Sequence, residues 1–440
     1  MIRRLAILLA VVAAGLAVAA VAEPKGRPLV GIVGNRILSQ QLFRFDASTL
    51  APLPGGVPLA GHRAAWSFSP SRATLVLARN DRSCLGGATT LRFVDLAAMR
   101  MLGDVPLVDN GPVEATVWLD RSHVLAVVDS GDCIESKQTM IVVVDAETRR
   151  VVATTRLRGE VVKLASAPQG LVLLLAPRNA VGTARLAVVD AAGKVRETTL
   201  TGIRAGQKGG NPSQPLANVN RPGLAVDPAT GRAFVVPAGD RLAEIDLGSL
   251  GVRFHDLAER VSTFTRLRRW LEPPAAAKGS NGPYRQALWL GNGLLAVTGS
   301  DTAAGMTKAG GERMSTTPAG LRLVDTRDWR YRKLSPDVSS VQLAGGLLLG
   351  TGSRYSSDGT TSEQSGAGLL AYSLDGHERY HLFGDSPIWI VAGIGTRGYA
   401  ELPAGRNPKV VSFAVASGEV GPAMPSRLYE LLVGDAFGFS

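Results

Sequence analysis

The pentapeptide HERYH at 377–381 matches the His-Glu-x-x-His pattern of zinc proteases. That chemistry needs both histidines on one helical turn, with the glutamate as base. Here the pattern follows the turn residues Asp375 and Gly376 and reads as a strand. Positions four apart along a strand lie about 13 Å from each other, too far to share one ion, so the match is a coincidence. The remaining histidines, His62, His123 and His255, are scattered and form no catalytic cluster with them. Carboxylates offer more. Asp81, Asp129, Asp132, Glu135, Asp301, Glu312 and Asp358 fall in long polar segments, as does Arg354. Their oxygens would suit calcium, but neither EF-hand nor nonapeptide spacing is present. The expectation is therefore no cofactor and no metal, with calcium the one ion worth testing, and these eight residues serve as candidates for binding. No Gly-x-Ser-x-Gly elbow, P-loop or dinucleotide fingerprint occurs in a suitable context. The inventory points away from catalysis and leaves an enzyme as the alternative.

What must position these residues is a repeat. A short apolar strand ending in Asp, a turn and a second strand recur along the chain. Copies begin at 42 (LFRFDASTLAPL), 91, 141 (IVVVDAETRRVV), 186, 242, 321, 369 and 410. An Asp at the strand end can bond backbone two residues on and open the turn. Upstream of most copies lies another hairpin, such as AAWSFSPSRATLVLAR at 64 and PGLAVDPATGRAFVVP at 222. Two hairpins give four antiparallel strands per unit of about 40–55 residues, the spacing of propeller blades. The expected fold is all-β, a single β-propeller over 23–440. Eight blades are favoured and seven are the alternative. The ring would be closed by pairing LYELLVG at 428 with the N-terminal strands from Leu29. One short helix is expected from Glu259 to Leu271. Trp66, Trp118, Trp289 and Trp389 fall on innermost strands and read as interblade packing.

The segments IVVVDAETRRVVATTRL and PGLAVDPATGRAFVVPAGDRLAEID resemble the YVTN-type repeats of surface-layer and related bacterial propellers. The diagnostic tetrapeptide is absent and the central blades carry the match. The resemblance implies the fold and an extracytoplasmic setting. It implies no single activity.

Naming the strands a to d from the channel outward, the a–b and c–d loops are short, whereas b–c loops and d–a connections are long. Examples are the segments from 80, 129, 299 and 352 and the connections from 202 and 258. In an antiparallel blade both kinds of long loop emerge at the same end, which makes that face the binding candidate. Cys84 and Cys133 fall in b–c loops of adjacent blades, and in an oxidising compartment they are expected to form a disulfide.

Residues 1–22 read as a signal peptide. Arg3 and Arg4 precede the apolar run Leu5 to Val21, and Ala20-Val21-Ala22 offers the cleavage site. No second apolar run of membrane length follows. The formal net charge is +11, and two of those charges leave with the leader. The arginines are scattered, which argues against nucleic acid. An envelope protein or an anionic envelope polymer is the expected partner. The chain is expected to be a monomer in the periplasm, in the cell envelope or outside the cell. The leading functional reading is a non-catalytic exported propeller that binds through its long-loop face. The alternative is a hydrolase or lyase acting on a small molecule or glycan at the channel mouth.

Overall fold

The computed structural model describes residues 29–33, 40–47, 49–59, 65–79, 89–107, 111–131, 136–208, 218–259, 282–306, 312–358, 360–403, 409–423 and 428–432. Among these residues there is no helix, and hence none long and apolar enough to cross a membrane. The strands run as consecutive four-stranded antiparallel meanders. Sheet 1 holds Trp66–Phe68, Thr74–Arg79, Thr90–Asp95 and Arg100–Pro106. Sheet 2 holds Val113–Trp118, His123–Gly131, Ser136–Asp145 and Arg150–Leu157. Sheet 3 holds Glu160–Ala167, Gly170–Ala176, Gly182–Val189 and Val195–Lys208, with Asn218–Asn220 added at its edge. Sheet 4 holds Gly223–Asp227, Arg232–Val236, Arg241–Asp246 and Val252–Asp256. Sheet 5 is built from Gly282–Gly291, Leu294–Met306, Leu321–Asp325 and Arg330–Ser335. Sheet 6 is built from Ser340–Ala344, Leu347–Ser357, Ser362–Ser373 and Glu378–Leu382. Sheet 7 holds Ile390–Ile394, Arg397–Leu402, Lys409–Ala414 and Val420–Ala423. In a last sheet, sheet 8, Leu428–Leu432 pairs with Leu29–Val33, which continues to Gln40–Phe45 and Pro52–Leu59.

The sequence explains why the second strands are apolar throughout. In Gly170–Ala176, Leu171, Leu173 and Leu175 pack against sheet 2, while Val172, Leu174 and Ala176 pack against sheet 4. Successive side chains point to opposite faces of a strand, so a strand covered on both faces needs no polar residue. Similar clusters link sheet 1 to 2, 4 to 5, 5 to 6 and 6 to 7. Two more join sheet 8 to its neighbours: Leu29, Phe45 and Leu50 pack with Tyr399 and Val410 of sheet 7, and Ile32 and Leu42 pack with Leu75 and Val94 of sheet 1.

The recurrent aspartate does what its position suggests. The Asp46 carboxylate accepts the Thr49 N–H at 2.7 Å, Asp145 that of Thr148 at 2.7 Å and Asp246 that of Ser249 at 2.7 Å. A feature hidden in the sequence follows four residues after the aspartate. Leu50, Met99, Arg149, Leu250 and Trp329 all have φ between 47° and 60°. There the backbone N–H of Leu50, Leu250 and Trp329 closes the turn on the Asp carbonyl, at 2.7–2.8 Å. Gly418 makes the same bond to Ala414 at 2.8 Å with φ 75°. This left-handed position favours glycine, so the repeat accepts strain there in most copies.

Candidate functional site

The a–b and c–d turns lie at one end of the meanders, and the b–c and d–a connections lie at the other. At that second end the segments from 299 and 352, expected as loops, form long hairpins. Ser300 to Met306 pairs with Glu312 to Pro318, and Ser353 to Ser357 pairs with Ser362 to Gly366. The two hairpins join edge to edge through Met314↔Ser357, Ser315↔Ser356 and Thr316↔Tyr355. The result is one continuous sheet that bridges sheets 5 and 6. It is polar on both faces, and a Thr302–Thr316 hydroxyl pair at 3.1 Å ties its strands. Sheet 3 is extended at the same end, where Gly206 to Lys208 pairs with Asn218–Asn220.

Among the described residues, the sequence-derived candidates do not converge on one point. Asp129, in sheet 2, accepts from Arg178 at 2.5 Å. Asp301, in sheet 5, lies 2.9 Å from Arg285. Arg354, in sheet 6, donates to Asp337 at 2.6 Å. Asp358 caps its own hairpin turn, accepting the N–H groups of Thr360 at 2.9 Å and Thr361 at 2.8 Å. Those bonds hold its carboxyl well below the usual carboxylate range. Glu312 opens the second strand of the sheet-5 hairpin. Asp81, Asp132, Glu135, Cys84, Cys133, His62, the leader and residues 260–271 of the expected helix lie outside the described residues. Glu259 itself lies in a two-residue strand that pairs parallel with Tyr331.

Asp129 enters a cavity in company the sequence did not reveal. Between sheets 2 and 3, a cavity of about 180 Å³ opens at the long-loop end. Its walls include Glu114, Asp129, Glu160, Arg178, Gln207 and Arg221. Glu114 and Glu160 begin or nearly begin the innermost strands of the two sheets, and Asp129 lies two residues before the end of the second strand of sheet 2. Burial, and then the Asp129 charge, push the Glu114 carboxyl up to about 7. Burial also raises Glu160, against the N–H of Gln207, which its carboxylate accepts at 3.3 Å. Arg221 donates to Gln207 Oε1 at 3.0 Å. Three carboxylates thus face two guanidiniums, so ionising Glu114 leaves the site with a net negative charge.

The tryptophans divide. Trp118 is buried, sends its indole N–H to the Ser67 carbonyl at 3.4 Å and meets Phe93 edge-on. Trp289 stacks on Phe234 with centroids 5.4 Å apart, and Trp66 packs at the boundary of sheets 8 and 1. Trp389 is the correction. It precedes its strand, its backbone N–H is held by the Glu401 carbonyl at 2.9 Å, and it is 51% exposed at the long-loop end. Trp329, on a c–d turn, stacks on His255, whose Nε2 lies 2.7 Å from Glu244. In HERYH, His381 bonds the Ala367 carbonyl at 2.8 Å from a strand and His377 lies beside Asp375, so the two histidines serve different neighbours. Among the described residues, no group of three His, Cys, Asp or Glu is placed to hold a metal ion.

Radially packed four-stranded meanders with one elaborated end define a β-propeller. No protein-family model matches the chain, and no curated protein matches it. Among solved structures it is similar to the dihydro-heme d1 dehydrogenase NirN in complex with DHE. That match has 12% identity over 94% of this chain and 76% of the other, with a TM-score of 0.51, and it concerns the fold alone. BamB from Moraxella catarrhalis aligns at 12% identity over 91% and 92% of the two chains, with a TM-score of 0.46. The Cps50 (Swd1) β-propeller domain of Myceliophteria thermophila aligns at 10% identity over 84% and 98%, with a TM-score of 0.41.

Proposed function

We propose that the mature chain is an exported, non-catalytic, eight-bladed propeller that binds a protein or envelope component through its long-loop face. The pairing of Leu428–Leu432 with Leu29–Val33 supports the count and the closed ring, as do the apolar clusters on both sides of that sheet. The observation that carries the functional reading is the one-sided elaboration. Two hairpins fused edge to edge project from the end where Trp389 is exposed. An exposed tryptophan on a rigid scaffold is the kind of residue that dominates interface energies. On this face Asp129, Asp301 and Arg354 are each paired with an opposite charge and Asp358 caps its own turn, which suits recognition better than acid–base work.

The test is binding of an envelope extract to the mature protein. Trp389→Ala is expected to weaken the captured interaction about tenfold or more, in keeping with hot-spot losses. Arg121→Glu, on an exposed tight turn at the opposite end, is expected to leave it unchanged. Equal losses in both variants would end the face assignment. Export itself predicts an N-terminus at Glu23 in protein recovered from outside the cytoplasm, readable by intact mass.

A second reading rests on Glu114. A carboxyl that titrates near neutrality beside two others is what a hydrolase or lyase would use as general acid. The cavity, at about 180 Å³, is smaller than the roughly 300–1,000 Å³ usual for small-molecule sites. That reading demands turnover of glycoside or lactone substrates with a pH limb near 7 that Glu114→Gln removes.

A further inference from the structure

The hairpin that extends sheet 6 ends the bridging sheet on one side, and its outer strand has a bare edge. Antiparallel pairing turns the N–H and C=O of successive residues alternately toward and away from the partner strand. Two bonds fix that alternation here. Asp358 donates its N–H to the Thr361 carbonyl at 3.2 Å, across the hairpin, and Gly366 donates away from it, to the Asp385 carbonyl at 3.0 Å. The register between them is regular, from Ser357↔Ser362 to Ser353↔Gly366. Glu363 and Ser365 therefore bond inward, while Ser362 and Gln364 turn their N–H and C=O outward. Ser357 and Tyr355 stand opposite those two residues, and the sheet-5 hairpin already pairs with them through Met314 and Thr316. Among the described residues, no strand pairs with the outer side of Ser362 to Ser365, and all four are exposed. At its base the edge is closed by the chain itself, since a Cβ at Gly366 would sit 2.2 Å from the Ser386 carbonyl oxygen.

Exposed edges are ordinarily blunted by proline, lysine or a bulge. The outermost strands of sheets 8, 1 and 7 carry Pro54, Pro106 and Pro422. Ser362 to Ser365 has none of these devices and one charge, Glu363, which makes no ion pair with any described residue. We infer that this edge receives an extended segment of a partner protein as an added strand, continuing the antiparallel sheet and setting a lysine or arginine opposite Glu363. A second copy of this chain does not fit. Outward-turned residues of an antiparallel pair stand opposite each other, so the register that uses Ser362 and Gln364 of both copies places Glu363 against Glu363. Like charges directly opposite destabilise a strand pair, and an opposite charge there stabilises it. This mode of docking rests on the long-loop face being the binding face. It adds how the partner is held: backbone bonds give affinity and one side chain gives selection.

The test is fluorescence anisotropy of the whole mature chain with a labelled peptide of alternating threonine and lysine, about ten residues long. Lysine comes opposite Glu363 when the threonines make the backbone bonds. One comparison peptide carries glutamate for lysine. Another is N-methylated at the threonines, which keeps the charge and removes the donors. The expected result is saturable binding of the first peptide and about tenfold weaker binding, or less, of the other two. Gln364→Pro removes one outward N–H and leaves the inward bonds in place. It is expected to weaken the threonine–lysine peptide about tenfold at an unchanged melting temperature. Glu363→Gln, which leaves the backbone untouched, is expected to weaken it about threefold. No saturation by the threonine–lysine peptide overturns the inference. Equal binding of the N-methylated peptide also does, because charge alone would then account for it, and so does wild-type affinity in both variants. Capture from an envelope extract separates the added strand from the face assignment. Loss in both Trp389→Ala and Gln364→Pro is expected; loss in Trp389→Ala alone ends only the added strand, and loss in neither ends both.

Discussion

Leu173→Ala is expected to lower unfolding stability by about 2–5 kcal/mol, the range for truncating a leucine in a packed core. Leu173 is 0% exposed in the second strand of sheet 3, paired with Leu164 and Ala187, and its side chain fills the boundary with sheet 2 beside Val127 and Val143. The loss combines the transfer energy of the removed methyls with a cavity that two rigid sheets cannot close. Val152→Ala makes the contrast. Val152 is 53% exposed on an outermost strand, and its replacement should stay within about 0.5 kcal/mol. Denaturant midpoints of the two variants decide the matter. A Leu173→Ala cost below 1 kcal/mol would mean that neighbouring sheets slide together freely, which the interdigitated strands of this fold do not permit.

That boundary was legible in the sequence because its physics is local. Strands covered on both faces are apolar without alternation, and each hairpin carries its own turn signal, such as Asp145 with Thr148. The end of the molecule that carries the long connections was legible for the same reason, since strand direction alternates and connection length can be counted. Three things were not. The segments after 299 and 352 fold as strands, but their Ser- and Thr-rich residues face solvent on both sides, so no apolar period marks them. Trp389 reads in sequence as an innermost-strand residue like Trp66, Trp118 and Trp289, and only the observed strand start at Ile390 leaves it outside the packing. Glu114 and Glu160 read as ordinary strand-edge acids. What makes them unusual is the lateral packing of two sheets, which buries both against Asp129 and Arg178. A turn carries its cause within a few residues, whereas a perturbed carboxyl takes its cause from another blade.

Glu114→Gln is therefore expected to stabilise the protein, and only at the pH where the carboxyl pays for its burial. Its folded pKa is pushed up to about 7 from an ordinary 4.5, first by burial and then by the Asp129 charge. The folded state thus binds the Glu114 proton more tightly than the unfolded state. This contribution to stability is fully present below about 4.5, declines as pH rises toward 7 and is gone above it. Across that window the full difference would be about 3 kcal/mol, and about 2 kcal/mol after allowing for the residue's partial exposure. Glutamine mimics the protonated form at every pH. Wild type and variant should have similar denaturant midpoints near pH 4.5, and the variant should lead by about 2 kcal/mol at pH 8. Asp129→Asn separates the two causes. Removing the smaller one should lower the Glu114 midpoint only in part, while freeing Arg178 from its 2.5 Å partner. Identical pH profiles for wild type and Glu114→Gln would show the carboxyl to be freely hydrated, and the acid–base reading of this cavity would lose its one support. A variant advantage confined to high pH would instead identify Glu114 as a proton-binding group where the innermost strands of two sheets meet the long-loop end, one able to tie the charge of that face to pH near neutrality.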